Sequence, residues 1–431
     1  MKRKFQINTH RLANGLQICA LRYPDIRAVS IRCFVFTGSA FETPQNNGIS
    51  HFLEHMLFRG NEKLGTSNTL NLCMEELGGE LNAVTSFDLT ELWLDFHVDY
   101  LEKGIERFCQ FLQYPLYKQI ETERSIILEE IRADYGENDL LIDLDSLVAK
   151  ELWKGHPMSL PVTGSVDSIT PIAKSDLSLW FETFYQPGNM IIGITGDFDP
   201  QRAIKSISVQ FPSTQFSARK NYQAIENSDS IGEQIQLIHQ KDNQFNLLWT
   251  FPAYPLTPEL RVQYQLIRRI LDDGSSSRLQ QLVREERGLV YDISAEMLYF
   301  LNGVSLNIQS QVSVNQFAAM IDVLVGLIKQ LGDKGCTEDE LKLAKLRTQI
   351  SLDFNEDIPH GILYDEIGPD IHPCVSSFNK TRSLVEEIDL TRINKTLKSL
   401  LSSSQACFAV VGPCGDEQRQ LLEKALNRWI A

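Results

Sequence analysis

The chain has 431 residues, 43% hydrophobic and 23% charged, a composition that supports two or more domains with separate cores and excludes long disordered spans. Its formal charge of −15, with no basic stripe interleaved with aromatics, argues against nucleic acid and anionic lipid as partners. The basic start "MKRKFQINTHRLANGLQICALRYP" is not followed by an apolar run of signal-peptide length, and no later stretch reads as a membrane span. Eight scattered cysteines (Cys19, Cys33, Cys73, Cys109, Cys336, Cys374, Cys407 and Cys414), most in apolar surroundings, read as reduced, buried thiols and point to a cytoplasmic location. No C-x-x-C occurs to support a thiolate zinc site.

In chain order, "LQICALRY" and "AVSIRCFVFTG" predict two strands paired with each other, "GISHFLEHMLF" a helix, and "GELNAVTSFDLTELWLDFHV" two strands about a turn near Ser86 to Asp88. The first half closes with the apolar strand "NMIIGITGDFDP" (189–200), and the second with "ACFAVVGPCGDE" (406–417). The offset from Gly196 to Gly412 is half the length of the chain. The same shift sets "YLEKGIERFCQFL" against "NQFAAMIDVLVGLI" and "ETERSIILEEIRADY" against "TEDELKLAKLRTQISLDF". Several matches in one order indicate an internal duplication, the alternative being two α/β domains that share common patterns. The polar, aperiodic stretch 213–234 is the expected linker between a domain over 1–212 and another over 235–431. Strands and helices without regular alternation give an α+β class. The turn-rich stretch "NEDIPHGILYDEIGPDIHPC" reads as a loop.

Within "SHFLEHMLFRG", His51, Glu54 and His55 form H-x-x-E-H. On a helix His51 and His55 stand one turn apart on one face and can reach a single ion. Glu54 is then placed to take a proton from water activated by that metal. The competing reading is an amphipathic helix with His and Glu on its solvated side. Phe52, Leu53, Met56, Leu57 and Phe58 oppose it, because a segment apolar nearly all round is buried and its imidazoles need partners. A third ligand is required. Glu123 and Glu130 are seven residues apart and share a helical face with Ile126 and Ile127, while Glu129 is rotated about 100° towards solvent. Spacing alone equally allows a surface ridge; opposite a two-His site short of a ligand, Glu130 is the candidate. His97, His156, His239, His360 and His372 are isolated and read as structural or surface residues.

These residues resemble peptidase family M16, the group of pitrilysin, insulin-degrading enzyme and the mitochondrial processing peptidase, whose H-x-x-E-H signature is the inverzincin pattern. The likeness extends through "LGGELNAVTSFDLTEL", "ERSIILEEI", "FYQPGNMIIGITGDF" and "SSSRLQQLVREERGLVYDISA". It is nearest to the short members with two homologous domains in one chain, each a mostly antiparallel sheet with helices on one side. The resemblance implies one zinc per chain, held by His51, His55 and Glu130, with Glu54 as general base and Glu123 orienting a ligand. It also implies that Asn82 and Ala83 lie on an edge strand that pairs with an extended peptide, and that Arg284 and Tyr291 polarise the carbonyl in a chamber closed by the second domain. Residues alone would leave Arg284 to Tyr291 as a charged helix end and a strand start. Applied to His51, the duplication shift leads to position 267, in "QYQLIRRIL", so the second half is a copy without the metal motif. The expectation is a zinc metalloendopeptidase acting on peptides, working as a homodimer or with an inactive homologue. A non-catalytic or partner-dependent subunit is the alternative reading, and a zinc hydrolase of non-peptide amides is disfavoured by the edge strand.

Overall fold

The computed structural model describes residues 5–212, 215–222, 234–300, 303–401 and 405–430. Of the expected linker, 213, 214 and 223–233 lie outside the described residues. The described part clings to the first half of the chain: the Ser217 amide donates to the Asn14 carbonyl (3.1 Å) and the Lys220 amide to Asn189 Oδ1 (2.7 Å). The chain forms two compact units, neither of which is one contiguous half. The first takes Met1–Arg132, Leu160–Gln223 and Asn355–Ile371, the second Ala133–Ser159, Ala224–Phe354 and His372–Ala431.

In the first unit the strands are β1 (Gln6–Arg11), β2 (Gln17–Arg22), β3 (Ala28–Val35), a short ribbon of β4 (Gly60–Asn61) and β5 (Gly65–Thr66), β6 (Glu80–Thr85), β7 (Thr90–His97) and β8 (Met190–Gly196). The main sheet runs β1-β2-β8-β3-β7-β6, with only β2 and β8 parallel. The expected pairing of β2 with β3 does not occur, because β8 lies between them. Every residue of β8 is buried, and a strand apolar on both faces belongs in a sheet interior. On one face, helices Ile49–Leu57, Leu101–Gln113 and Pro200–Gln210 bury Phe52, Met56, Phe108 and Ile207 against Ile18, Ile31, Leu92 and Ile192.

The other face of that sheet, with Cys19, Phe34 and Ile191, is covered by helix Pro359–Ile371 through Leu363, Ile367 and Ile371. A helix thus stands where the turn-rich sequence predicts a loop. Its apolar residues recur at helical spacing, and Pro359 opens the helix, where a missing N–H is least costly. The helix approaches closely at Gly193, where a β-carbon would stand 2.8 Å from Leu363 Cδ2.

The second unit contains β9 (Ile235–His239), β10 (Gln244–Ala253), β11 (Ile293–Phe300), β12 (Gly303–Ser313) and β13 (Cys407–Gly412). Their order is β11-β12-β10-β13-β9, with β13 and β9 parallel. That is the connectivity of β6-β7-β3-β8-β2, so both units are α+β sheets flanked by helices and share one duplicated plan. Helix Phe317–Lys334, contrary to expectation, is long and apolar enough to match a membrane span. Its Met320, Ile321, Leu324, Ile328 and Leu331 are buried in the core of this unit. The opposite sheet face is covered by helix Leu144–Leu152, with Leu144, Leu147 and Val148 against Leu248, Ala409 and Val411. Each sheet therefore receives a helix from the other half of the chain.

Truncating Leu363, which is fully buried, should destabilise the protein by about 2–5 kcal/mol through loss of apolar burial and an unfilled cavity. Denaturant unfolding of Leu363→Ala monitored by circular dichroism checks this, and a change below about 1 kcal/mol would contradict the packing.

Candidate metal centre

Helix Ile49–Leu57 buries Ile49, Ser50, Phe52, Leu53, Met56 and Leu57, and leaves His51, Glu54 and His55 half-buried along one side. Its start is fixed by Gly48 at φ 86°, where a β-carbon would come within 2.7 Å of the Thr163 carbonyl oxygen. A buried carboxylate, Glu42, caps it: Oε2 accepts from the Gly48 amide (2.7 Å) and Asn47 Nδ2 (2.9 Å), and Oε1 from the Ser50 amide (2.9 Å). Negative charge at these unpaired amides is favourable, although burial pushes the Glu42 carboxyl above its usual range.

Helix Ile120–Ala133 supplies the acids. Glu123, Ile127 and Ile131 form its buried face, whereas Ile126, expected on that face, is exposed. Glu129 lies in solvent and pairs with Arg132. His51 Nε2 and His55 Nε2 are 3.1 Å apart, and Glu130 Oε2 is 3.8 Å from each. Among the described residues this is the one group of three or more His, Cys, Asp or Glu donors close enough to share an ion. Tetrahedral zinc with bonds of 2.0–2.2 Å has ligand atoms about 3.3 Å apart, so the donor set and its spacing fit that metal. Burial, then the neighbouring His55, push the His51 imidazole down to about 4, which keeps its lone pair available.

The surrounding bonds organise this cluster. His55 Nδ1 donates to Glu123 Oε1 at 2.8 Å, which leaves Nε2 as the lone-pair atom facing Glu130. Glu123 is also hydrogen-bonded by Arg59 Nε. Glu54 is pushed above the usual carboxylate range by burial, against the opposing hydroxyl and amide of Thr85 and the charge of His55. Thr85 Oγ1 donates to Glu54 Oε2 at 2.6 Å. The structure thus brings His51, Glu54, His55, Glu123 and Glu130 together.

Asn82 and Ala83 are half-buried in β6, where they register with Trp93 and Leu92 of β7. β6 ends the sheet. Arg284 and Tyr291 lie in the second unit. A π-helical turn, Gln280–Glu285, carries Arg284, whose guanidinium accompanies the Tyr291 ring at 5.8 Å and whose Nη1 donates to Gln280 Oε1 at 3.5 Å. Tyr291 is 90% exposed, free of any packing role. Sequence reading misses Glu42, Arg59 and Thr85. A charge directly after the apolar run "HMLF" is a signal for Arg59; Glu42 bonds the nearby Asn47, Gly48 and Ser50 without leaving a spaced pattern, whereas Thr85 acquires its partner only through the tertiary fold.

Two family models match the chain: Insulinase (Peptidase family M16) over residues 18–165 and Peptidase M16 inactive domain over 171–347. An uncharacterised zinc protease of Streptomyces coelicolor is 24% identical over 428 residues, covering 96% of this chain and 91% of its own. One from Bacillus subtilis is 25% identical over 352 residues, covering 80% and 83%. In fold, the chain is similar to a protease from Helicobacter pylori (TM-score 0.82, 18% identity, 94% of this chain and 99% of that one). It is also similar to a peptidase M16 inactive domain from Pseudomonas fluorescens (TM-score 0.84, 17% identity, 95% and 98%).

If Glu123 orients His55, Glu123→Ala should weaken metal binding roughly 10–100-fold while His51, His55 and Glu130 remain. Competition with a chromogenic chelator measures this; unchanged affinity would show that the His55–Glu123 bond does not organise the donors.

Proposed function

Since the chain belongs to the M16 (insulinase) peptidase superfamily, we propose that it is a zinc-dependent metalloendopeptidase that hydrolyses bonds within extended peptides, with Glu54 as general base. The observation that carries this reading is the convergence of His51, His55 and Glu130 with a hydrogen-bonded carboxylate, Glu54, next to His55 on the same helix. The relatives named as zinc proteases support the choice of metal. His51, His55 and Glu130 would hold the ion, which when bound supplies Lewis acidity toward a peptide carbonyl and toward water.

The side chains of this protein perform the proton chemistry. Glu54, raised in pKa by burial and so nearer neutrality than a solvated carboxylate, takes a proton from the attacking water and delivers it to the leaving amine. The peptide adds as a strand to β6, whose second edge has no partner strand among the described residues, and Asn82 and Ala83 present main-chain groups to it. Arg284 and Tyr291 provide a cation and a phenol for the developing oxyanion; their pairing and the exposure of Tyr291 support that role.

Glu54→Gln should bind zinc as the wild type does and lose at least about 100-fold in kcat, whereas His51→Ala should lose the metal as well. Peptide digests with metal analysis on the purified proteins decide this, and full hydrolysis by Glu54→Gln would remove Glu54 from the role of base.

A further inference from the structure

A general base is effective only when its carboxylate is held in one orientation, and the side chain of Glu54 has several rotatable bonds with which to leave it. The contacts that restrain it come from Thr85, the last residue of β6: its amide faces the carboxylate and its hydroxyl donates to Glu54 Oε2 at 2.6 Å, the bond that depends on the side chain. The direction is fixed, since an ionised carboxylate can only accept. The Thr90 hydroxyl, which registers with Thr85 across the strand pair, lies 3.4 Å from the Thr85 hydroxyl and is fully buried, could compete for the proton. Thr90 gives its proton to the Thr37 carbonyl at 3.2 Å, which leaves the proton of Thr85 for Glu54.

The backbone at Thr85 is itself pinned. Immediately after it, the Ser86 amide and hydroxyl both donate to the Leu89 carbonyl (2.8 and 2.9 Å), and the Ala40 amide donates to the Phe87 carbonyl (2.7 Å). Thr85 also stands two residues beyond Ala83 on the strand whose free edge is open. We infer that Thr85 is the positioning residue of the general base: its hydroxyl holds the Glu54 carboxylate in its working orientation, and through it the placement of β6, the strand that receives the peptide, is linked to the orientation of the base. This rests on the peptidase reading and assigns a role that the H-x-x-E-H pattern does not contain.

Thr85→Val keeps the shape and removes the hydroxyl; Thr85→Ser keeps the hydroxyl and removes a methyl. With a peptide substrate, Thr85→Val should lower kcat about 10–100-fold while KM and zinc content stay within about twofold of wild type, and Thr85→Ser should recover kcat to within about threefold. A second readout needs no turnover. In metal-free protein, thermal unfolding of wild type, Thr85→Val, Glu54→Ala and the double variant forms a cycle, and the valine substitution should lower Tm when Glu54 is present and have a smaller effect when it is absent. Additive Tm shifts, a kcat for Thr85→Val within about twofold of wild type, or a serine variant as slow as the valine variant would each overturn the inference. Wild-type protein that cleaves no peptide would defeat the peptidase reading and this role with it, whereas an active wild type with an additive cycle defeats the role of Thr85 alone.

Discussion

The imidazole of His55 lies between two carboxylates of one helix, bonded to the first and facing the second. Nδ1 donates to Glu123 at 2.8 Å, and Nε2 lies 3.8 Å from Glu130. Seven residues of helix advance about 10 Å and return to nearly the same face, so the ring, with its two bonding atoms on opposite sides, fits between the two carboxylates. The spacing of Glu123 and Glu130 is in this sense the length of a histidine. Were the acids three or four residues apart, one of them would miss the ring. The bond to Glu123 also fixes the tautomer, and with it which nitrogen joins His51 in the cluster.

Ionisable groups withdrawn from water carry a desolvation cost that must be offset locally. Three carboxylates here have an answer, whereas His51 Nδ1 is buried without a hydrogen-bond partner among the described residues. Glu123 is covered by Arg59 and His55, Glu42 by the amides at the start of helix Ile49–Leu57, and Glu54 by Thr85. The duplicated unit shows the same scaffold without that demand. The shift that relates the two halves carries His51, Glu54 and His55 onto Ile267, Ile270 and Leu271, all buried in the core of the second unit. The architecture tolerates apolar residues there, so the polar set in the first unit reflects chemistry and not a requirement of the fold.

The α+β class, the duplication and the clustering of His51, His55 and Glu130 were legible because each leaves a periodic or spaced pattern in one dimension. His51 and His55 are one helical turn apart, and Glu123 and Glu130 are two. The β6–β7 hairpin was legible for the same reason, with its alternating burial and its turn. What was not legible depended on distant partners. The strands β2 and β3 follow one another in sequence, yet β8, from the far end of the first half of the chain, enters between them. Helix Pro359–Ile371 was obscured by its glycines and prolines, and its apolar stripe has meaning only against Phe34 and Ile191. Thr85 looked like any strand threonine until Glu54 was placed beside it.

The exchange of helices between the halves has a consequence for how the chain is made. The sheet of the first unit exposes Cys19, Phe34 and Ile191 until Leu363, Ile367 and Ile371 arrive. Those residues emerge from a ribosome long after the last strand of that sheet, Met190–Gly196, has been synthesised. At roughly 5–20 residues per second, the intervening stretch takes on the order of ten seconds or more to appear. During that interval a sheet with one bare apolar face must avoid other chains, and the final closure is a contact between residues far apart in sequence, the kind that forms slowly. The candidate metal site belongs to the earlier portion, since all five of its clustered side chains precede residue 131. Its donors can converge while the reverse side of the same sheet is still open.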